Sequence, residues 1–131
     1  MEPGSPSLLS CVALNASMAC INEAENGAIE AHVQRLQESL LAALAHDSVW
    51  GAEARRLQGL WDEDRLGPVL SFHHQGRGAE FLNGCLQAGF KQGIYASVRE
   101  GYLRVAFHGM HTRLDVERVA AWLTEPGGGA R

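Results

Sequence analysis

One stretch of the sequence decides the fold: Gly93-Ile-Tyr-Ala-Ser-Val-Arg-Glu-Gly-Tyr-Leu-Arg-Val-Ala-Phe-His108-Gly-Met-His-Thr112. Its residue pattern predicts two short strands, over residues 93–98 and 102–107. Glu100-Gly101 lies between them and predicts a tight hairpin turn, because glycine readily adopts the positive φ that such turns need. Thr112-Arg-Leu-Asp115 then has the form of a capping box and starts a helix. The stretch therefore predicts an antiparallel strand pair followed by a helix.

The two faces of the second strand differ in chemistry, because successive side chains of a strand point to opposite sides. The residues expected to face the core are Leu103, Val105 and Phe107. The opposite side is assigned Tyr102, Arg104 and His108, which supply a phenol, a guanidinium and an imidazole. A guanidinium can bind a carboxylate through two parallel hydrogen bonds, so this side predicts binding of an anionic ligand.

The rest of the chain supplies helices around these strands. The predicted helices cover residues 6–23, 28–45, 78–88 and 112–123. A further strand is predicted over residues 69–73. Residues 49–67 give no clear pattern, and we expect a short strand that begins near Leu57. The order helix, helix, strand, helix, strand, strand, helix predicts an α+β fold, a two-layer sandwich with a small antiparallel sheet covered by helices.

Length and composition fit one domain. The chain has 131 residues, 46% of them hydrophobic and 20% charged, which is the balance of a globular protein that can bury its own core. We assign residues 1–124 to a single domain and the Gly-rich end, 125–131, to a disordered tail. The net charge is −4 and basic residues form no cluster, so nucleic acid is not expected as a partner.

The cysteines and the N-terminal residues indicate a compartment. The odd number and wide spacing of Cys11, Cys20 and Cys85 argue against a disulfide framework or a zinc site. We expect Cys11 and Cys20 to be small buried apolar residues. The sequence shows neither a signal peptide nor a membrane span, so a cytoplasmic location without membrane contact is expected.

The first predicted helix carries no charge before Glu23 and is rich in Ala, Leu and Ser. A helix that is apolar on most sides is buried in its own protein or covered by another chain. This helix is therefore expected to be either buried or part of an interface. The interface would be with a second copy of the chain or with a separate partner chain.

Histidines raise a second possibility for a site. His73 and His74 are neighbours on a predicted strand and point to opposite faces, so they cannot both bind one metal ion. His108 and His111 could converge, but no third ligand is evident, and metal binding stays the weaker interpretation. Arg99, beside the hairpin turn, is expected to be a solvated charge.

Three motifs give the chain a resemblance to a known family. These are Glu2-Pro-Gly-Ser-Pro6 with the Ala-rich helix after it, Pro68-Val-Leu-Ser-Phe72, and Ser97-Val-Arg-Glu-Gly-Tyr-Leu-Arg-Val-Ala-Phe-His108. They are similar to the Gly-Thr-Pro entry, the first strand and the closing Arg-x-Gly-x-Leu-Arg-x-Ser-x-His signature of one domain. Over nearly its whole length the chain resembles the C-terminal small domain of class V aminotransferases. These are fold type I pyridoxal-phosphate enzymes that include cysteine desulfurases, selenocysteine lyases and kynureninases.

The resemblance implies roles for three residues. Arg104 matches the arginine that binds the substrate α-carboxylate, and His108 matches a common family position that we assign to substrate binding. Ser5 matches a hydroxyl residue that, in many members, reaches the cofactor phosphate of the neighbouring subunit. The chain departs from the family at Ala106, where serine is usual, and at Met110-His111, which replaces Tyr-Asn.

The family's cofactor-binding large domain is not represented in this sequence. The chain has one lysine, Lys91, which follows a predicted helix and is interpreted as a surface residue instead of a Schiff-base lysine. The resemblance therefore implies a truncated or split enzyme that binds no pyridoxal phosphate and has no activity alone. Its expected partner is a second copy or a separate large-domain chain. The alternative is a non-catalytic interaction or dimerisation module that kept the fold.

Overall fold

The computed structural model describes residues 7–24, 27–74 and 76–125. The elements in chain order are α1 (Leu8–Glu23), α2 (Ala28–Leu44), α3 (Gly51–Asp62), β1 (Val69–His73), α4 (Ala79–Lys91), β2 (Ser97–Arg99), β3 (Tyr102–Ala106) and α5 (Arg113–Thr124). The three strands form an antiparallel sheet in the order β1-β3-β2, so the last strand of the chain is the central one. The predicted α+β two-layer sandwich is confirmed.

The hairpin turn between β2 and β3 has the predicted backbone. Glu100 and Gly101 have φ values of 53° and 81°, and paired positive φ values are typical of the two-residue turns whose twist matches that of the strands. β2 is shorter than predicted and begins at Ser97. Gly93 and Ile94 instead cap the C-terminus of α4, because the Ile94 N–H donates to the Gly89 carbonyl at 2.9 Å and Gly93 has a φ of 74°.

One face of the sheet is buried beneath helices, as the alternation predicted. The buried strand residues are Leu70, Phe72, Leu103 and Val105, with Phe107 just beyond β3. They belong to the same core cluster as Leu40 and Leu44 of α2 and Val119 of α5. The apolar half of the strand pattern is thereby confirmed, and it leaves the other face of the sheet for polar side chains.

Two buried tryptophans fix the C-terminal helix. The Trp50 indole N–H donates to the Leu123 carbonyl at 3.0 Å, and the Trp122 indole N–H donates to the Cys85 carbonyl at 3.0 Å. Both rings are almost fully buried, and each N–H finds the partner that a buried indole needs. These bonds tie α5 to the start of α3 and to α4.

The interpretation of residues 49–67 was wrong. The segment contains α3 and no strand, with Leu57 buried on the inner side of the helix. The buried positions of α3 are Gly51, Ala54 and Leu57, and two of these side chains are too small to form a recognisable apolar stripe.

The expectation of burial was also wrong for the cysteines of α1. No residue of α1 is buried, and both Cys11 and Cys20 are exposed. Its large apolar side chains face solvent, with Leu8 and Leu9 about four-fifths exposed. The sequence predicted either burial of this helix within its own protein or an interface with another chain. Burial within its own chain does not occur, and the interface stays a prediction.

Candidate functional site

The open face of the sheet places Arg104 between two hydroxyl groups. Strand pairing puts Arg104 of β3 directly opposite Ser71 of β1 and Ser97 of β2. Directly paired residues of an antiparallel sheet have their side chains on the same face, with Cβ atoms about 4.5–5.5 Å apart. The three side chains therefore form one row across the sheet, with the guanidinium at its centre.

A second row lies beside the first, at the end of the sheet nearest the hairpin. Tyr102 of β3 pairs with His73 of β1 and with Arg99 of β2. The His73 and Tyr102 rings pack with their centroids 5.1 Å apart. Residues two apart on a strand share a face, so this row and the Arg104 row form one polar surface.

Helix α3 supports this surface through a carboxylate. Glu53 accepts a hydrogen bond from the His73 backbone N–H at 2.9 Å and two from Arg56, from Nε at 2.8 Å and Nη2 at 2.7 Å. Partial burial acts to raise the pKa of Glu53, but the hydrogen bonds from Arg56 and His73 outweigh it and hold that pKa below its ordinary value. Glu53 therefore remains ionised and fixes the end of β1 to α3.

The open face and its border carry a local positive charge on a chain whose net charge is −4. Arg104 lies within the face, Arg99 lies at its edge and Arg56 borders it from α3. Arg56 is neutralised by Glu53. Among the residues that the structure describes, the Arg104 side chain makes no hydrogen bond or ion pair with a protein group, so its donors are available to an anion.

His108 lies outside this surface. β3 ends at Ala106, so strand alternation does not assign His108 to the face of Arg104. The His108 backbone N–H donates to Nδ1 of His111 at 2.9 Å, and the two imidazole rings stack with centroids 5.9 Å apart. The side of the molecule that His108 faces is a groove beside α2.

This groove has a volume of about 930 Å³. Its walls are the end of α1, the first turns of α2, and the segment after β3. The lining is mainly apolar, with Ile21, Ile29 and Met110 among its residues and Glu30 and His108 as its ionisable groups. The structure therefore separates the two predicted substrate-binding residues, Arg104 on the open sheet face and His108 on the groove.

The remaining predicted residues do not join either surface. Ser5 lies outside the described residues. Lys91 is the last residue of α4 and is exposed. Ser71, Ser97 and Glu53 were missed, because their positions beside Arg104 and His73 depend on strand register and on α3.

Two further observations concern metals and membranes. Within residues 7–24, 27–74 and 76–125, no three His, Cys, Asp or Glu side chains are grouped so that they could hold a metal ion. None of the helices in these ranges is both long and apolar enough to cross a bilayer.

Comparison with protein-family models, curated protein sequences and solved structures finds no match to this chain.

Proposed function

We propose that this chain is the substrate-side small domain of a pyridoxal-phosphate enzyme of the class V aminotransferase type, acting with a separate cofactor-binding partner. In this proposal the open face of the sheet binds the carboxylate of an amino-acid substrate. The chain alone is inactive, because the partner supplies the cofactor and its lysine.

The placement of Arg104 supports the proposal best. Arg104 is half-buried on the central strand of a three-stranded sheet, is flanked by the hydroxyl-bearing Ser71 and Ser97, and forms no ion pair with an acid among the described residues. A carboxylate could accept two parallel hydrogen bonds from Arg104 and further ones from the hydroxyl groups. The opposite side of β3 is core, so the backbone that carries Arg104 is held in place.

In this proposal the partner, and not this chain, holds pyridoxal phosphate. The cofactor, when bound by the partner, would supply the bond chemistry of such enzymes. Lys91, the one lysine of this sequence, is exposed at the end of α4. No step of cofactor chemistry is therefore assigned to this chain. Its proposed part in the reaction is to bind and orient the substrate carboxylate.

Helix α1 supports the need for a partner. Val12 and Leu14 are two positions apart, which places them on opposite sides of the helix, and their side chains are 60% and 63% exposed. No charged residue occurs between Leu8 and Asn22. An uncharged helix with apolar residues on opposite sides is suited to a contact that covers it from more than one direction.

Carboxylate binding by the purified chain tests the proposal. The isotope-labelled protein is titrated with butyrate, and amide chemical shifts are followed by NMR. We expect shifts centred on Ser71, Ser97 and Arg104, with an affinity that falls as sodium chloride is added. Arg104→Gln should weaken butyrate binding about tenfold, as expected for loss of hydrogen bonds to a charged group.

A matched variant controls for the loss of positive charge. Arg113 lies on α5 with its side chain 86% exposed, so Arg113→Gln removes the same charge from another surface. Butyrate affinity should be nearly unchanged in this variant. Equal affinities of the parent and the Arg104→Gln variant would refute the carboxylate site.

A second candidate is a non-catalytic interaction or dimerisation module, favoured by the exposure of α1. In that case α1 would be the functional surface and the open sheet face would bind no carboxylate. A variant with serine at both Val12 and Leu14 distinguishes the two candidate functions. If this variant no longer self-associates, and neither it nor the parent chain binds butyrate, the interaction module is favoured. If the parent and the variant bind butyrate equally well, the small domain is favoured.

A further inference from the structure

Arg99 and Arg104 occupy diagonal positions on the open face of the sheet. Ser97 pairs with Arg104 and Arg99 pairs with Tyr102, so the two arginines are offset by two residues on adjacent strands. Diagonal neighbours have Cα atoms about 7–8 Å apart, within reach of two long side chains that meet on one small molecule. Tyr102, 39% exposed, is a neighbour of both on the same face: it pairs with Arg99 and is two residues from Arg104 on β3.

Arg99 forms only a weak ion pair with Glu100. The Arg99 Nε lies 3.6 Å from the Glu100 Oε1, and the two side chains are 71% and 81% exposed. An ion pair with this geometry and exposure contributes little and is screened by salt. Arg99 can therefore exchange Glu100 for an anionic group of a ligand, a role that goes beyond the solvated turn charge expected from the sequence.

We propose that the open face selects a dicarboxylate, with one carboxylate on Arg104 and the second on Arg99. The substrate class would then be an amino acid or oxo acid with an acidic side chain. The proposal rests on the proposed function, because it uses the carboxylate site at Arg104. Ser71 and Ser97 flank the first carboxylate, and the border of the face near Arg99 receives the second.

Charge and geometry both favour two anionic groups over one. Arg56 is neutralised by Glu53 through two hydrogen bonds. Among the residues that the structure describes, Arg99 and Arg104 are then the arginines of this face with unused donors. A monocarboxylate on Arg104 would leave Arg99 with its loose contact to Glu100. A second carboxylate on the same molecule adds a charge pair without the cost of binding another molecule.

A comparison of the affinities of the full chain for glutarate and for butyrate tests the proposal. The two acids have similar carbon skeletons and differ by the second carboxylate. Titrations followed by NMR at constant ionic strength should show that glutarate binds about three- to fivefold more tightly than butyrate, the upper range for an exposed ion pair. Arg99→Gln should abolish this preference, so that glutarate and butyrate bind with similar affinities.

Two further variants sharpen the test. Glu100→Gln removes the competing acid and should raise glutarate affinity about twofold without changing butyrate affinity. Arg113→Gln, the control for net charge, should preserve the preference for glutarate. Amide shifts at Arg99 and Gly101 should appear with glutarate and be absent with butyrate.

The outcomes separate this proposal from the one on which it rests. A glutarate preference that persists in Arg99→Gln, or no preference in the parent chain, overturns the dicarboxylate assignment while Arg104 can still bind butyrate. Inorganic phosphate that binds more tightly than glutarate and depends on both arginines also overturns it, because one compact dianion would then bridge them. Butyrate binding that is insensitive to Arg104→Gln refutes the carboxylate site and this proposal together.

Discussion

Two glycine-to-alanine substitutions should change stability in opposite directions. Gly89 lies in α4 against the buried ring of Trp122, and a Cβ atom there would be 2.9 Å from Cε2 and 3.0 Å from Cζ2 of the indole. Trp122 cannot easily move aside, because its ring is 2% exposed and its N–H donates to the Cys85 carbonyl. Gly59 lies in α3, and a Cβ atom there would meet nothing within 4 Å.

The magnitude follows from two competing terms. Alanine is favoured over glycine in a helix by up to about 1 kcal/mol, and this gain applies at both positions. Overpacking of a core costs about 1–3 kcal/mol, and it applies only at Gly89. We therefore expect Gly89→Ala to lower the free energy of unfolding by up to about 2 kcal/mol, and Gly59→Ala to raise it by about 0.5–1 kcal/mol.

Urea denaturation of the three proteins measures these changes. Tryptophan fluorescence reports the unfolding, and equal slopes of free energy against urea concentration would show that the midpoints can be compared directly. A stabilised Gly89→Ala variant, similar to Gly59→Ala, would refute the close packing of α4 on Trp122. A destabilised Gly59→Ala variant would contradict the open surroundings of α3 at that position.

Three other expectations concern charge, association and the cofactor. The lowered pKa of Glu53 means that its stabilising effect is present above the ordinary carboxyl pKa and is lost as the pH falls through the lowered value. Glu53→Gln should therefore lower the free energy of unfolding by about 1 kcal/mol at pH 7, and the difference from the parent should vanish in acid; a constant difference would contradict this. Sedimentation velocity should show self-association of the parent chain and not of a variant with serine at Val12 and Leu14, whereas a monomeric parent at high concentration would remove α1 as an interface. Mixing with pyridoxal phosphate should give no stoichiometric aldimine absorbance, and a band lost in Lys91→Ala would show that the chain carries its own lysine.

The hairpin and its core face were predictable from sequence because both depend on local signals. Alternation assigned Leu103, Val105 and Phe107 to the core, and Glu100-Gly101 identified the turn. The helix start after it was also predictable: the Asp115 carboxylate accepts hydrogen bonds from the Thr112 N–H at 2.8 Å and the Thr112 hydroxyl at 2.9 Å. These contacts lower the pKa of Asp115 and involve residues three positions apart.

The surroundings of Arg104 were not predictable in the same way. Ser71 is 33 positions away in the chain, and its place beside Arg104 is set by the pairing of β1 with β3. Ser97 lies opposite Arg104 because the length of the hairpin turn sets the register between β2 and β3. The support from Glu53 was missed because α3 was not recognised, its inner side being formed by Gly51 and Ala54.

The order of strands has a consequence for synthesis on the ribosome. β1 leaves the exit tunnel first, followed by β2, yet both need β3 between them, and β3 is the last of the three strands to be made. Until then β1 has an apolar side without its central neighbour and an unpaired backbone edge, features that favour contacts with other nascent chains. Formation of the sheet, and with it the row containing Arg104, is thus delayed until the central strand β3 has left the exit tunnel.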